Sequence, residues 1–285
     1  MSLDVSRMLA EGRRILDAAG VPTPAVDAEL LLAHVLRIGR GEVAVKAITG
    51  GTVSEADASS FQDLVVRRAG REPLQHLTGL APFRSLELHV GPGVFVPRPE
   101  TEGVAQIAID ALAARAEAEP IAVDLGTGSG ALALALATEV PRSRVYAVEL
   151  SPEAAVWTRQ NIESTGARVS LVEGDLGDAL PELDGTVSVV VSNPPYIPVG
   201  MVPRDPEVRL HDPALALYGG ADGLDVVRRL SRRAHALLVP GGTLVVEHGD
   251  EQGRAIRELL TADGWRGAAT HPDLTRRDRA TTALR

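Results

Sequence analysis

Apolar residues recur with helical spacing over the first 75 positions. Val5, Met8, Leu9, Ile15 and Leu16 make one stripe, and Leu30, Leu31, His34 and Val35 make a second beyond Pro22 and Pro24. Ser54 and Asp57 have capping-box spacing ahead of Phe61, Leu64 and Val65, which predicts a further helix beginning at Ser54. These stripes predict a small helical domain over residues 1–78. From Phe83 the period shortens to alternation. Phe83, Leu86, Leu88 and Val90, then Gly91-Pro92-Gly93 and Val94-Phe95-Val96, predict a β-hairpin within a linker over 79–98.

Residues 99–285 alternate between the two periods. Val104, Ile107, Ala108, Ala111 and Leu112 make a helical face before the buried-strand run Ile121-Ala122-Val123. Strands are predicted at 144–149, 168–173, 186–192 and 242–247, separated by helices near 129–138, 152–164 and 223–238. Trp265 to Thr270 and Thr281 to Leu284 are weaker strand patterns that could close the sheet. Such alternation predicts an α/β domain with a parallel sheet covered on both faces.

Composition narrows the function classes. The chain of 285 residues is 45% hydrophobic but only 3% aromatic, so Ala, Val and Leu build its core. Lys and Arg number 29 against 38 Asp and Glu, and the net charge of −9 disfavours non-specific binding to phosphate backbones. With no cysteine, thiolate metal sites, disulfides and thiol nucleophiles are excluded, and a cytoplasmic location is the default expectation. Charges interrupt the N-terminal 20 residues, so no secretion signal is expected, and no apolar run approaches the ~20 residues of a membrane span. The seven histidines lack metal-ligand spacing, and no metal is expected.

Asp124-Leu125-Gly126-Thr127-Gly128-Ser129-Gly130 lies where a buried strand turns into a helix. Glycine there permits positive φ and close approach of a ligand, and the helix start offers free N–H groups. The next strand ends in Glu149, a carboxylate suited to a ribose diol. An adenosine-containing cofactor is therefore expected. The spacing G-x-G-x-G after Asp124 suits S-adenosylmethionine better than a dinucleotide, with Asp124 available to its ammonium. Asp175 and Leu176, after the following strand, offer an acceptor and an apolar wall to adenine.

The strand ending at Ser192 runs directly into Asn193-Pro194-Pro195-Tyr196, at the carboxyl edge where doubly wound folds bind ligands. Two prolines stiffen this backbone. The Asn193 side-chain carbonyl and the Pro194 main-chain carbonyl can accept both hydrogens of a planar NH₂ group, and Tyr196 can cover its face. Such a site orients an amide or amino nitrogen toward a sulfonium methyl without needing a strong base.

With these residues in place, the chain resembles the class I S-adenosylmethionine-dependent methyltransferases, and within them the release-factor glutamine methyltransferases of the PrmC/HemK type. The resemblance spans nearly the whole chain: EPLQHLTG at 72–79, VFVPRPETE at 94–102, DLGTGSGALALALA at 124–137, VSNPPYI at 191–197, HDPALALYGGADGLDVV at 211–227 and VEHGDEQG at 246–253. It implies a Rossmann-like seven-stranded sheet with one antiparallel strand in its last pair, a partner-gripping N-terminal helical bundle and a β-hairpin linker. It also implies methylation of the glutamine side-chain nitrogen in the Gly-Gly-Gln motif of class I peptide chain release factors. Carried over by position, Asp124, Gly126, Thr127, Gly128, Ser129, Gly130, Glu149, Asp175, Leu176 and Asn193 would bind cofactor. Asn193, Pro194, Pro195 and Tyr196 would hold the glutamine, with Phe95, Arg98 and Pro99 lining the pocket. The chain departs from the common pattern at Glu149, where Asp is frequent, and at Leu176, where an aromatic residue often stands; the second puts adenine stacking in question.

Two other substrates present a comparable group: a ribosomal-protein glutamine, and adenine N6 of a nucleic acid. The negative charge and the lack of a recognisable DNA-reading domain argue against the latter. Arg228, Arg229, Arg232 and Arg233 make a basic stripe expected to be a solvated helix face.

Overall fold

The computed structural model describes residues 3–285, so the first two positions of the expected helical domain lie outside the described residues. The chain divides into two compact units: one comprises residues up to Leu80 together with Pro203–His211, the other Ala81–Val202 with Asp212–Arg285.

In the helical unit, β1 (Leu3–Asp4) pairs antiparallel with β2 (Thr52–Val53), and around this short ladder pack α1 (Val5–Ala18), α2 (Pro24–Leu36), α3 (Arg40–Ile48), α4 (Glu55–Ala69) and α5 (Leu74–Thr78). Ser54 caps α4 as its spacing predicts, accepting from the Asp57 backbone N–H at 3.1 Å. Val5, Leu16, Leu31, Leu32, Phe61 and Val65 share the core. A buried ionic group fastens the returning segment 203–211: Arg68 donates to Asp27 at 2.7 Å and to Glu207 at 2.8 Å, and Arg71 donates to Glu207 at 2.5 Å. Burial pushes the Glu207 carboxyl up, but hydrogen bonds with Asp205, Arg71 and Arg68 outweigh it and hold the group well below the ordinary range.

The second unit opens with the hairpin β3 (Leu80–Phe83) and β4 (Leu86–His89). Its turn lies at Arg84-Ser85, not at the predicted Gly91-Pro92-Gly93, and Val94-Phe95-Val96 is no strand. Arg84 adopts φ 53°, held by Glu139, by the Glu102 carbonyl and by Gln106. Gly91 instead serves close packing, because a Cβ there would strike the Trp157 ring, whose indole N–H donates to Pro92 O at 3.2 Å.

Then follow α6 (Pro99–Ala113), β5 (Ile121–Leu125), α7 (Ala131–Glu139), β6 (Arg144–Glu149), α8 (Pro152–Thr165), β7 (Val169–Glu173) and β8 (Val187–Ser192). After α9 (Pro206–His211), which belongs to the first unit, the short α10 (Ala214–Leu217) precedes α11 (Asp225–Leu237), β9 (Leu238–Glu247), α12 (Gly253–Ala262), β10 (Arg266–Pro272) and β11 (Asp278–Leu284). The seven strands are ordered β10-β11-β9-β8-β5-β6-β7, with β11 antiparallel to both neighbours and the five strands from β9 to β7 parallel.

Both faces of the sheet are buried. Ala122, Val189, Val191 and Val245 point to one face, with α6 and α7; Val123, Leu125, Val190, Leu244 and Val246 point to the other, with α11 and α12. This is why the central strands read as continuous apolar runs. Strand β9 starts four residues before the predicted 242, and a register shift opposite Val187–Val189 absorbs Pro240-Gly241-Gly242, with Gly241 at φ 76°. The order reverses at β5 and β8, so their carboxyl ends open one crevice.

Candidate active site

At the end of β5 the chain turns through Gly126, Gly128 and Gly130, at φ 78°, 60° and 89°. No atom lies within 4 Å of a Cβ built at Gly126 or Gly128, so conformation rather than space demands glycine there. The Gly126 and Thr127 N–H groups both donate to Val148 O at 2.9 Å. Asp124 is buried beneath the turn. Its Oδ2 accepts from Thr127 Oγ1 at 2.6 Å and from the Ala133 N–H at 3.2 Å, whereas Oδ1 has no partner. Burial lifts this carboxyl to about 7. An orphaned buried carboxylate oxygen is a fit receptor for a ligand ammonium, and the open positive-φ turn beside it has room for a ligand's backbone approach.

Glu149 closes β6 beside the same turn, but its carboxylate is already engaged: Oε2 accepts from the Gly128 N–H at 2.7 Å and Oε1 from the Ser151 N–H at 2.8 Å. Each oxygen keeps a second lone pair, so a diol could share it. Asp175 Oδ1 accepts from the Gly177 N–H at 2.8 Å and from Arg229 at 2.5 Å, and Leu176 packs against the core. The Arg229 bond, with that backbone bond, holds the Asp175 carboxyl below its ordinary value. The basic stripe is solvent-facing as expected, with Arg229 and Arg232 exposed and Arg228 half-buried, and three of its four arginines are also paired: Arg228 with Asp222 and Asp225, Arg229 with Asp175, and Arg233 with Asp184.

Beyond β8, Asn193 Nδ2 donates to Thr101 Oγ1 at 3.5 Å. Its Oδ1 accepts no hydrogen bond among the described residues, and neither does the Pro194 carbonyl. Tyr196 is half-buried, and burial pushes its phenol up to about 12, with the Glu247 charge adding and Arg279 and Arg98 opposing. The phenol is therefore neutral at any working pH. Arg98 lies over the Phe95 ring, 5.0 Å from its centroid, and donates to the buried Asp212 at 2.8 Å. Pro99 occupies the first turn of α6, where its missing N–H costs nothing, and sets the start of the helix that carries Thr101. The structure therefore joins Asn193 to α6 and brings Arg98 into electrostatic reach of Tyr196.

Two family models match: the PrmC N-terminal domain over residues 7–79 and a methyltransferase domain over residues 122–202. The release factor glutamine methyltransferase of Streptomyces coelicolor is 54% identical over 99% of this chain and 98% of its own length. The chain belongs to the release factor glutamine methyltransferase family. A Streptomyces pristinaespiralis relative, a 4-amino-L-phenylalanine/4-methylamino-L-phenylalanine methyltransferase, is 42% identical over 99% of this chain and 95% of its own. Among solved structures, a T. thermophilus 16S rRNA N2 methyltransferase in complex with AdoMet and guanosine shares the fold, with 21% identity and a TM-score of 0.54 over 72% of this chain and 49% of that one. This glutamine methyltransferase family member therefore carries the class I methyltransferase fold.

Several residues that hold these two turns were not singled out from sequence. Thr158 donates to Gly128 O at 2.6 Å, and Asn161 Nδ2 donates to both Ser129 O and His89 O at 2.9 Å. Both lie with Ala154 and Ala155 on the buried stripe of α8, and a polar residue on an apolar stripe is the signal that could have found them. Gln252 donates to Tyr196 O at 2.9 Å while its Oε1 accepts from the Gly249 N–H at 2.9 Å, tying the loop after β9 to the Asn-Pro-Pro-Tyr turn. Gly219 approaches the same turn so closely that a Cβ would lie 2.5 Å from Pro195 O, and a Cβ at Gly223 would collide with Tyr196 O. Those contacts explain Gly219 and Gly223, while at Gly220 a Cβ would strike the Asp225 carboxylate.

Proposed function

We propose that this enzyme transfers a methyl group from S-adenosylmethionine to the side-chain amide nitrogen of a glutamine in a class I peptide chain release factor, at the Gly-Gly-Gln motif. The observation that carries the reading is the pair of unfilled acceptors, Asn193 Oδ1 and Pro194 O, at the carboxyl end of β8. Two acceptors at one edge suit the two hydrogens of a planar NH₂. The 54% identical relative supports the choice of substrate.

S-adenosylmethionine, when bound, supplies an electrophilic methyl whose bond to sulfur breaks with its electron pair left on sulfur, giving S-adenosylhomocysteine. Asp124 Oδ1 would take the cofactor ammonium, the glycine turn its methionine portion, Glu149 its ribose, and Asp175 with Leu176 its adenine. At the other end, Asn193 and Pro194 orient the amide so that its nitrogen faces the methyl. An amide lone pair is delocalised and weakly nucleophilic. Both acceptors strengthen their bonds as positive charge grows on that nitrogen, which favours the transition state over the ground state. Once the N–C bond has formed, the nitrogen releases one hydrogen as a proton and the product is N5-methylglutamine. Phe95, Arg98 and Pro99 would line the approach, and the helical unit would grip the partner protein.

The test is mass spectrometry of a purified class I release factor after incubation with the enzyme and S-adenosylmethionine. A single added methyl on the Gly-Gly-Gln glutamine is the expected result. An unmodified release factor, with 4-amino-L-phenylalanine methylated in a parallel reaction, would instead place this chain with its 42% identical relative, since an aryl NH₂ suits the same acceptors.

A further inference from the structure

Gln252 stands between the loop after β9 and the turn after β8. Its backbone is fixed at the head of α12: its N–H donates to Gly249 O at 3.0 Å, its carbonyl accepts from the Ile256 N–H at 3.0 Å, and Ile256 and Leu260 of that helix are buried in the core. The buried His248 anchors the loop from behind, pairing through Nδ1 with Gly249 O at 2.8 Å and through Nε2 with Thr281 Oγ1 at 2.9 Å. From this mount the side chain reaches the peptide between Tyr196 and Ile197. Gln252 Nε2 donates to Tyr196 O at 2.9 Å, and Oε1 accepts from the Gly249 N–H at 2.9 Å. The N–H of the same peptide, on Ile197, donates to Leu217 O at 2.8 Å. Both polar atoms of the 196–197 peptide are thus held, each by a different distant segment.

The turn needs such supports because proline removes its own. Pro194 and Pro195 have no N–H to donate, and the Pro195 ring closes φ. Only Pro195 ψ and the two Tyr196 torsions therefore lie between the peptide that carries Pro194 O and the peptide held by Gln252. Released at Tyr196 O, the turn can pivot about those three bonds; held there, the Pro194 carbonyl keeps one direction. An amide is the group that fits this place. Its oxygen meets a backbone N–H and its nitrogen meets a backbone carbonyl, so a reversed amide would set like against like. Space is tight as well, since a Cβ at Gly223 would lie 2.3 Å from Tyr196 O and 2.8 Å from Gln252 Nε2.

We propose that Gln252 is a positioning residue: braced by the Gly249 N–H, its amide holds the Tyr196 carbonyl and thereby aims the Pro194 carbonyl, one of the two acceptors for the substrate NH₂. The effect on rate rests on the amide-methylation reading; the geometry of the clamp does not. Glutamate has the same shape but answers to pH at this position. Ionised, it accepts from the Gly249 N–H and turns a second acceptor against Tyr196 O; protonated, it regains a donor. The charged groups that bear on Tyr196 are Glu247, Arg279, Arg98 and Glu100, and Asp250 and Glu251 adjoin Gln252 in its loop. All of them, with His248, are common to the wild type and the variant, so the comparison between the two isolates residue 252.

Tyrosine is followed by isoleucine at one place in the chain, Tyr196-Ile197; Tyr146 precedes Ala147 and Tyr218 precedes Gly219. Full-length protein labelled with ¹³C-carbonyl tyrosine and ¹⁵N-isoleucine therefore gives a single NMR correlation from the clamped peptide, and it is recorded for wild type, Gln252→Leu and Gln252→Glu from pH 8 to pH 5. The Tyr196 carbonyl resonance should move away from its wild-type position in both variants at pH 8, and in Gln252→Glu alone it should return toward that position as the pH falls. In the methylation assay at saturating cofactor, both variants should lose about tenfold in kcat at pH 8, the worth of one oriented hydrogen bond, with S-adenosylhomocysteine affinity unchanged. The rate of Gln252→Glu relative to wild type should rise with acidity, whereas that of Gln252→Leu should stay flat. Gln252→Glu keeps the brace to Gly249, so the test stands even where Gln252→Leu does not fold. A Tyr196 carbonyl unmoved in Gln252→Glu at pH 8, a full kcat in that variant, or a deficit that is the same at every pH overturns the proposal. If the carbonyl behaves as expected but the wild type methylates no release-factor glutamine, the substrate reading fails and the clamp stands.

Discussion

The turn after β5 and the turn after β8 face one crevice, but they are shaped by opposite means. After β5 three glycines at positive φ give the backbone its path, and the stretch is contiguous in sequence. Its outer supports, Glu149, Thr158 and Asn161, bind backbone atoms of the same turn. After β8 there is no glycine. Two prolines limit the backbone, and its carbonyls are fixed from afar: Gln252, 56 residues downstream, takes Tyr196 O, while Gly219 and Gly223 permit another loop to press against Pro195 and Tyr196. The comparison teaches that a backbone path set by glycines can be written locally, whereas a proline-stiffened turn takes its position from supports that only the fold assembles.

Removing the Asn193 acceptor should separate the two ends most sharply. Asn193→Ala should lower kcat by about 10²–10³-fold, the usual cost of deleting one group that stabilises developing charge, with S-adenosylhomocysteine affinity nearly intact by calorimetry. Comparable losses in both quantities would mean that the two turns are not independent.

A pH series probes the β5 end alone. Asp124 is lifted by burial to about 7 from 3.8, so between those values the folded chain holds a proton that the unfolded chain has lost, and the group's contribution to stability falls as pH rises through that window. A cofactor ammonium at Oδ1 favours the ionised form. Calorimetric affinity for S-adenosylhomocysteine should therefore strengthen from pH 5.5 to 7, by up to about tenfold per unit, and level off above. Asp124→Asn should bind weakly with a flat profile; a wild type that is equally flat would remove Asp124 from the ammonium site.

Two glycine substitutions sharpen the contrast with smaller effects. Gly223→Ala forces a Cβ onto Tyr196 O at φ 77° and should cut kcat by about 20-fold while sparing cofactor affinity, given about 1–2 kcal/mol for the left-handed backbone alone. Gly128→Ala meets no neighbour at φ 60°, so only the backbone term applies: cofactor affinity should weaken by about tenfold, with kcat at saturating cofactor little changed. Steady-state kinetics with both substrates varied distinguishes these patterns.

Much of the fold was legible because the two periods of apolar residues are well separated along the chain. Arg144–Glu149 and Pro152–Thr165 fall almost where the pattern places them, since both sheet faces are buried and the helices between carry clear stripes. The hairpin was misplaced for a local reason: Gly91-Pro92-Gly93 has the composition of a turn, but its small residues serve the Trp157 ring, and the true turn is made by an arginine in a left-handed conformation. The basic stripe was likewise legible as a helix face, but not its pairing with Asp175, Asp184 and Asp222, because those acids come from other loops.

By itself the sequence determined the alternation of helix and strand, the glycine turn beside Asp124 and the stiff Asn-Pro-Pro-Tyr stretch, because each depends on residues within a few positions of one another. Only the tertiary structure decided what those groups are free to do. It buried Asp124 so that one oxygen is left unfilled, occupied Glu149 with the Gly128 and Ser151 N–H groups, and set Thr101 beside the Asn193 amide. Desolvation and hydrogen-bond direction depend on which atoms from distant segments surround a group, and residue order alone does not carry that information.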